Sequence, residues 1–576
     1  MSSITALSPV RRFFKLMQLD RREIGYIYLY SIFAGVITLS LPLGIQAIIG
    51  LISGGAISSS LFILIGVVSI GIALTGSLTV LQLSVMETIQ RRIFIRSSFD
   101  FAWRIPRFDM NEMLKSYPPE LVNRFFDTLT IQKGVPKLLI DFSTALLQVV
   151  FGLLLLSFYH PIFVFFGLAL LLLLFLIFRF TGPQGLQTSL VESKYKYAVA
   201  HWLEEIARTV TTFKLEVYSD LPMERTDELA SKYLDARKQH FRILLFQYRI
   251  IVIFKTVITG GLLVLGSWLV VNNQISIGQF VAAEIVVILI MNSVEKLILS
   301  MDTIYDVLTA LEKIGHVTDI PLERRGGLNF SEVDSGKGLQ VDIRNLHFRF
   351  GDSETPAINN LSLQVNPGEH VCIAGFNDAG KSTLLQLLAG LFENYSGSIA
   401  YNGFSMKSID PATLRKAIGK YSVQEDIFQG TIYENIGLGM AEVNLKEVVQ
   451  VAQTIGLDPY VKKLPMGYKT ELLSGGRNLP ESIRTKIILA RSFVLRPKLL
   501  LLEDFLNDFQ INEKKNIAWC LTDKANNWTL MAVSNDPLFA ASCDRVIIMQ
   551  DGTIRMDGTF EEVKASPYYE QIFTGA

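Results

Sequence analysis

The stretch GFNDAGKS, Gly375 to Ser382, decides how the C-terminal half of this chain folds and what it holds. It fits the spacing G-x-x-x-x-G-K-[ST], in which a glycine-rich loop turns backbone N–H groups towards phosphates. In that pattern Asn377, Asp378, Ala379 and Gly380 carry the loop, Lys381 reaches the β- and γ-phosphates, and the Ser382 hydroxyl holds Mg²⁺, with Thr383 following in the helix. The apolar run HVCIAG (His370 to Gly375) enters the loop as a strand, and TLLQLLAG (Thr383 to Gly390) leaves it with helical spacing. Phosphates would then sit on a helix N-terminus, where the dipole and the unpaired donors favour anions. The expectation is an α/β P-loop domain with a nucleotide site.

Composition places that domain at a membrane. Half of the residues are hydrophobic and only 19% are charged, too apolar for an ordinary soluble protein. From Gly25 to Met86 run 62 residues without Asp, Glu, Lys, Arg or His, divided by a Gly/Ser patch at 50–60. Phe142 to Phe178 is broken only by His160 beside Pro161, and 248–301 by Asn272 to Ser276 at its centre, with Glu284 in its second half and a few charges nearer its ends. Each run is long enough for two crossings, giving six transmembrane helices.

Basic residues set the expected topology. The turns at 50–60, 157–161 and 272–277 contain no Lys or Arg, whereas the connections 87–137 and 179–247 carry many, among them Arg91, Arg92, Arg96, Lys115 and Arg237. The positive-inside rule puts those connections, both termini and the nucleotide domain in the cytoplasm. The connections mix charge with helical apolar spacing, so the spanning helices are expected to have long cytoplasmic extensions. Residues 9–22, PVRRFFKLMQLDRR, read as an amphipathic helix on the inner surface, in contact with membrane lipid. Residues 302–340 read as a polar connection with Gly326, Gly327, Gly336 and Gly338 at the boundary. Cys372, Cys520 and Cys543 have spacing that suits neither zinc nor a redox pair. A net charge of +0 gives no reason to expect a nucleic-acid partner.

From residue 340 onward the motif order resembles the nucleotide-binding domain of ABC transporters, and the whole chain resembles a half-subunit of the export type. The resemblance implies a segmentation: 1–23 an amphipathic N-terminal segment, 24–320 a six-helix transmembrane domain, 321–339 a linker, 340–576 the ABC nucleotide-binding domain. It implies ATP and Mg²⁺ as cofactors. Phe350 sits where the family stacks an aromatic ring on adenine. Gln424, in YSVQEDIFQGTIYENI (Tyr421 to Ile436), stands at the Q-loop glutamine, a Mg²⁺ ligand beside Ser382. The strand LLLLED (Leu499 to Asp504) and TLMAVSND (Thr529 to Asp536) stand at the Mg²⁺-facing carboxylates and the switch histidine. WLVVNNQISIGQFVAAEIVV (Trp268 to Val287) is similar to the junction of spans five and six in bacterial peptide- and protein-secreting members. That likeness implies an inner-membrane location and adds a periplasmic adaptor to the implied partners. With the first span starting near residue 25 and no peptidase domain before it, a peptide-maturing exporter is not expected.

Several positions depart from the family pattern. Where the family has Asp then Glu, this chain has Glu503, which still reaches Mg²⁺ through water, and Asp504, one methylene too short for the general base. Asn535 replaces the switch histidine, and an amide neither carries charge nor shuttles a proton. Asp378 occupies a loop position usually held by glycine. The signature motif has a decoy, Leu473-Ser474-Gly475-Gly476. A helix starting at Ser474 would bury Pro480 in its interior, at about 3 kcal/mol or more. Pro480 lies 23 residues before Glu503, the family interval from signature serine to first carboxylate, against 29 for Ser474. The signature is therefore Leu479-Pro480-Glu481-Ser482-Ile483, with Pro480 in place of a hydroxyl and an N–H, and Glu481 opposing an anion.

These departures imply that ATP is bound while hydrolysis is weak or lost. The family closes two cassettes head to tail, so the chain is expected to form a homodimer or a heterodimer with another half-transporter. A second reading is a non-hydrolysing gate, scaffold or regulator of a secretion assembly. Glu284, alone among apolar neighbours in the sixth span, is a candidate for lining the membrane pathway or for meeting a polar neighbour at a subunit contact.

Overall fold

The computed structural model describes residues 8–53, 59–114, 117–216, 219–333, 336, 338–351, 353–423 and 426–573. The chain divides into two compact units, Met1–Arg107 with Ser116–Ile320, and Phe108–Lys115 with Pro321–Ala576.

The first unit is helical. Helix α1 (Pro9–Leu19) is started by Ser8, whose hydroxyl accepts from the Arg11 N–H at 3.4 Å. It is followed by α2 (Arg21–Thr38), α3 (Ser40–Ser53), α4 (Ser59–Arg104), α5 (Asp127–Tyr159), α6 (Ile162–Arg208), α7 (Leu221–Val271) and α8 (Ile277–Thr318). Among the described residues, six helical segments are long and apolar enough to cross a membrane, with α2 and α3 together forming the first. Helices α4, α6 and α7 run 46, 47 and 51 residues, more than twice the ~20 needed to cross a bilayer. Each of these three therefore continues as helix well past its apolar stretch.

The turns between spans fall where polar and proline residues interrupt the apolar runs. Helix α5 ends at Tyr159 before His160-Pro161, and α8 begins at Ile277 after its N-cap Ser276, whose side chain and that of Gln279 form a reciprocal capping box. Two features differ from the sequence reading. The first span is not one helix: it breaks at Leu39, because Pro42 lacks the N–H that would bond back to Thr38. Residues 302–318 are not a polar connection but the continuation of α8, whose face carries the buried Tyr305, Val307 and Ala310.

Charge fastens α1 and α2 to the bundle. Arg12 donates to both oxygens of Asp319, one at 3.0 Å, and lies 3.9 Å from Glu312. Gly315 leaves room for that guanidinium, since a Cβ there would lie 2.4 Å from Arg12 Cζ. Asp20, buried before α2, accepts from Arg96 at 3.3 Å and lies 3.5 Å from Arg92. Deeper in, the buried Gln247 amide donates to Thr181 Oγ1 at 2.6 Å and to Tyr305 OH at 3.0 Å. Apolar side chains such as Leu156, Leu170 and Ile290 close the core around α8.

The second unit is α/β. Strands β1 (Val341–Phe348), β2 (Ile358–Val365), β3 (His370–Gly375), β4 (Ser396–Tyr401), β5 (Phe404–Ser405), β6 (Ile418–Tyr421), β7 (Leu499–Glu503), β8 (Thr529–Val533), β9 (Arg545–Gln550) and β10 (Thr553–Gly558) form two sheets. One is antiparallel with order β2-β1-β4-β5. The other runs β10-β9-β3-β8-β7-β6 and is parallel except for β10. Strands β3 and β8 are buried along their whole length, as central parallel strands covered on both faces must be. Helices α9 (Lys381–Leu388), α10 (Glu481–Phe493) and α11 (Ile511–Leu521) complete the elements that matter for the site.

Gly185 of α6 gives a test of helix packing. A Cβ there would stand 2.2 Å from the Tyr305 ring of α8, whereas one at Gly182 would meet nothing within 4 Å. Overpacking of this kind costs about 1–3 kcal/mol. Gly185→Leu is expected to lower the thermal unfolding midpoint of the detergent-solubilised chain by several degrees, and Gly182→Leu to leave it unchanged.

Candidate functional site

Three neighbouring parallel strands end at one place. Register pairs β8 Val533 with β3 Ile373 on one side and with β7 Glu503 on the other. The C-terminal ends of β3, β8 and β7 therefore bring together Gly375, Ser534-Asn535 and Glu503-Asp504. In open α/β sheets this edge is where ligands bind.

The loop after β3 is built for close approach. Gly375 has φ 149° and its Cβ would stand 2.1 Å from Met549 O; Gly380 has φ 87° and its Cβ would stand 2.2 Å from Ala357 O. Neither position tolerates a side chain. Asp378 takes φ 58°, a left-handed conformation that its usual occupant, glycine, adopts without strain. Asn377 and Asp378 are exposed, Ala379 and Thr383 buried, and Ser382 half-buried. Gly380 starts α9 with no side-chain cap, so the first N–H groups of that helix face the loop without a competing acceptor from the cap. Lys381 Nζ lies over the loop, donating to Gly375 O at 2.9 Å and Phe376 O at 2.6 Å. Burial lowers its pKa, with Asp504, Asp378 and Glu503 pulling the other way. These residues fit a nucleoside triphosphate. Glu503 and the Ser382 hydroxyl fit Mg²⁺, an ion held by one or two carboxylates together with phosphate oxygens.

The carboxylate end is arranged by residues that the motif comparison did not name. Glu503 Oε2 accepts from Ser422 Oγ at 2.7 Å. Asp504 is half-buried at φ 45°, its N–H donating to Val533 O at 2.9 Å. Burial raises the Asp504 pKa; Lys381 draws it down and Glu503 pushes it further up. Asn535 is not aimed at open space. Its Oδ1 accepts from the Gly375 N–H at 3.1 Å and its Nδ2 donates to Gly375 O at 3.2 Å. Both ends of the amide are used in clasping the backbone of one residue, Gly375, at the start of the phosphate loop. Gln424 lies outside the described residues.

Helix α10 begins at Glu481 with Pro480 at its N-cap (φ −59°, ψ 145°) and no side-chain cap. Ser474 to Gly476 form a separate single turn with Gly475 at φ 73°. Leu479 is half-buried, its N–H donating to Gly476 O at 2.8 Å; Ser482 is half-buried and Ile483 buried. Pro480 and Glu481 are exposed at the helix start. Glu481 accepts from Arg484 Nη1 at 2.8 Å, and Arg484 also lies 3.6 Å from Asp426. One turn on, Thr485 donates to Asp508 at 2.8 Å, tying the loop after β7 to this helix.

Phe350 is half-buried and packs edge-on against Phe348 (4.8 Å between centroids) and Phe392 (5.5 Å). Glu284 is half-buried on α8 and, among the described residues, takes part in no hydrogen bond or ion pair.

Comparison with known proteins agrees with this architecture. Residues 358–507 match the ABC transporter family, and residues 24–294 match the ABC transporter transmembrane region. The chain is an ABC transporter half-subunit. Its relatives include the alpha-hemolysin translocation ATP-binding protein HlyB of Escherichia coli O157:H7, 26% identical over 299 residues, 52% of this chain and 42% of that protein. The putative multidrug export ATP-binding/permease protein YgaD of Bacillus subtilis is 25% identical over 309 residues, 54% of this chain and 53% of that one. The matched region spans about half the length of these relatives. The fold is that of a bacterial Atm1-family ABC exporter solved with ATP bound, with a TM-score of 0.83, 18% identity, and coverage of 96% of this chain and 98% of that one. It is therefore a multi-pass membrane protein with one ATP-binding domain.

Within this ABC transporter, sequence reasoning missed Ser422, Arg484 and the Asn535 clasp. Arg484 was readable as an i,i+3 partner of Glu481. The other two depend on strand order, which brings Ser422 and Asn535 to their partners from 81 and 160 residues away.

Asp504 yields a pH test. Its pKa is raised in the folded chain, so the stability tied to its protonated form is fully present below the unfolded value, about 4, and is lost as pH rises through the folded value. Asp504→Asn removes that loss. In thermal unfolding of the nucleotide-free chain, the variant is expected to be more stable than the parent at pH 7.5, with the difference closing towards pH 4.

Proposed function

We propose that this chain is the membrane subunit of a dimeric exporter of the bacterial inner membrane, with both termini and the nucleotide domain in the cytoplasm. It grips ATP and Mg²⁺ with an ordinary phosphate loop and hydrolyses ATP weakly or not at all. The partner is a second copy or another half-transporter, because one chain supplies only half of each composite site. Export as the direction of transport follows the names of YgaD, a putative multidrug export protein, and of the Atm1-family exporter.

The observation that carries the reading is the start of α10. In this family that helix N-terminus faces the γ-phosphate on the opposite cassette. Here the first position is Pro480, with neither hydroxyl nor N–H to offer, and the next is Glu481. Its ion pair with Arg484 balances part of the charge but adds no donor on the helix axis. The catalytic carboxylate adds to this. Asp504 ends about 1.5 Å short of where a glutamate would, and a misplacement near 1 Å costs about 10²-fold in rate. Asn535 spends its amide on Gly375 and cannot take up a proton. What these residues do together is bind and orient: Lys381 neutralises phosphate charge, the α9 amides hold it, and Phe350 offers a ring face to the base.

The test restores the family residues in one chain: Pro480→Ser, Glu481→Gly, Asp504→Glu and Asn535→His. ATP turnover of the purified dimer in lipid is expected to rise by about 10²-fold or more over the parent, with the parent close to a Lys381→Ala control. A parent turning over far above that control, unchanged by restoration, would refute the reading.

A further inference from the structure

The helical unit contains an apolar cleft of about 350 Å³, in the size range of ligand pockets. It opens between α1, α2, α5 and α8 and is walled by Phe13 and Phe14, Tyr28, Leu138 and Phe142, and Leu308. Its level along the bundle is defined by the sequence. Leu308 lies two turns past the apolar stretch that ends near Met301, and Tyr28 lies two turns into α2. The cleft thus sits where the membrane-crossing runs give way to charge, the depth at which headgroups meet acyl chains.

The charges around this corner are unevenly used. The carboxylates that face α1 and α2 are paired: Asp319 and Glu312 with Arg12, Asp20 with Arg92 and Arg96, and Glu23 with Arg92. Arg11 and Lys15 of α1 are exposed and, among the described residues, make no ion pair. On α1 the cleft-facing residues Val10 and Phe14 are each followed by one of these, a single 100° step round the helix. Arg12 pins α1 to Glu312 of α8 and to Asp319 just past its end.

An apolar slot with an unneutralised cationic rim at headgroup depth matches one chemistry, an amphiphile with an anionic head. We infer that the cleft is a specific site for an anionic phospholipid, one acyl chain between α1 and α5–α8 and its headgroup phosphate at Arg11 and Lys15. The lipid would bridge the α1 anchor to α8, the helix that leads to the nucleotide domain in sequence, making it a candidate regulator of the subunit.

Native mass spectrometry of the detergent-purified full chain tests this without reference to membrane sidedness. The probes are phosphatidylglycerol and phosphatidylcholine with the same acyl chains. Tight binding of one phosphatidylglycerol per chain, in preference to phosphatidylcholine, is expected. Arg11→Gln with Lys15→Gln should weaken phosphatidylglycerol binding by about 20-fold, at roughly 5-fold per charge, and leave phosphatidylcholine unchanged. Arg11→Lys with Lys15→Arg should retain the preference. Leu308→Trp, which fills the slot, should weaken both lipids. Equal binding of the two lipids, insensitivity to Leu308→Trp as for a diffuse positive field, or displacement by free inorganic phosphate would each overturn the inference.

Discussion

The backbone of Gly375 is held at its N–H and at its carbonyl by the single side-chain amide of Asn535, and the nucleotide site is organised around that clasp. Gly375 ends β3, Asn535 follows β8, and β8 lies between β3 and the carboxylate strand β7. Fixing Gly375 to Asn535 therefore sets the distance from the phosphate loop to Glu503 and Asp504. The same peptide oxygen also accepts from Lys381. A loop that must stay open at φ 149° and cannot carry a Cβ at that point gains its rigidity from outside, from the neighbouring strand. An amide carries no proton to transfer, so the proposed firm binding and weak turnover meet in this one residue.

The membrane unit solves a different problem, that of keeping polar groups satisfied among apolar helices. It does so mainly by pairing. Asp20, Arg12 and Gln247 each meet partners from helices far away in sequence, and α8 supplies the surface on which most of the others pack. Glu284 stands apart because nothing comparable neutralises it among the described residues. A half-buried carboxylate among apolar neighbours in a spanning helix is a candidate functional site.

Much of this was legible in the residues, for reasons that are physical. Charge-free runs mark spans because a bilayer admits little else, so the helix ends at Tyr159, Val271 and Ile277 fell where the polar turns lay. Pro480 marked the start of α10 because proline is excluded from a helix interior, which separates that helix from the turn at Ser474 to Gly476. The break at Leu39 was equally announced by Pro42, but an average over hydrophobicity does not register a missing N–H. The extension of α8 through 302–318 was hidden by its charge: Asp302, Asp306 and Glu312 read as a connection, while Tyr305, Val307 and Ala310 on the other face bury it as helix. Contacts such as Arg12 with Asp319, 307 positions apart, are set by the fold and leave no local signal.

The central claim is that the chain holds ATP without consuming it, and the chemical identity of retained nucleotide tests this most directly. The full chain, loaded with ATP and Mg²⁺ and freed of unbound nucleotide, is followed for several hours by chromatography of what it releases on denaturation. The account predicts that the retained nucleotide remains ATP. Conversion to ADP within minutes, abolished by Lys381→Ala, would contradict it.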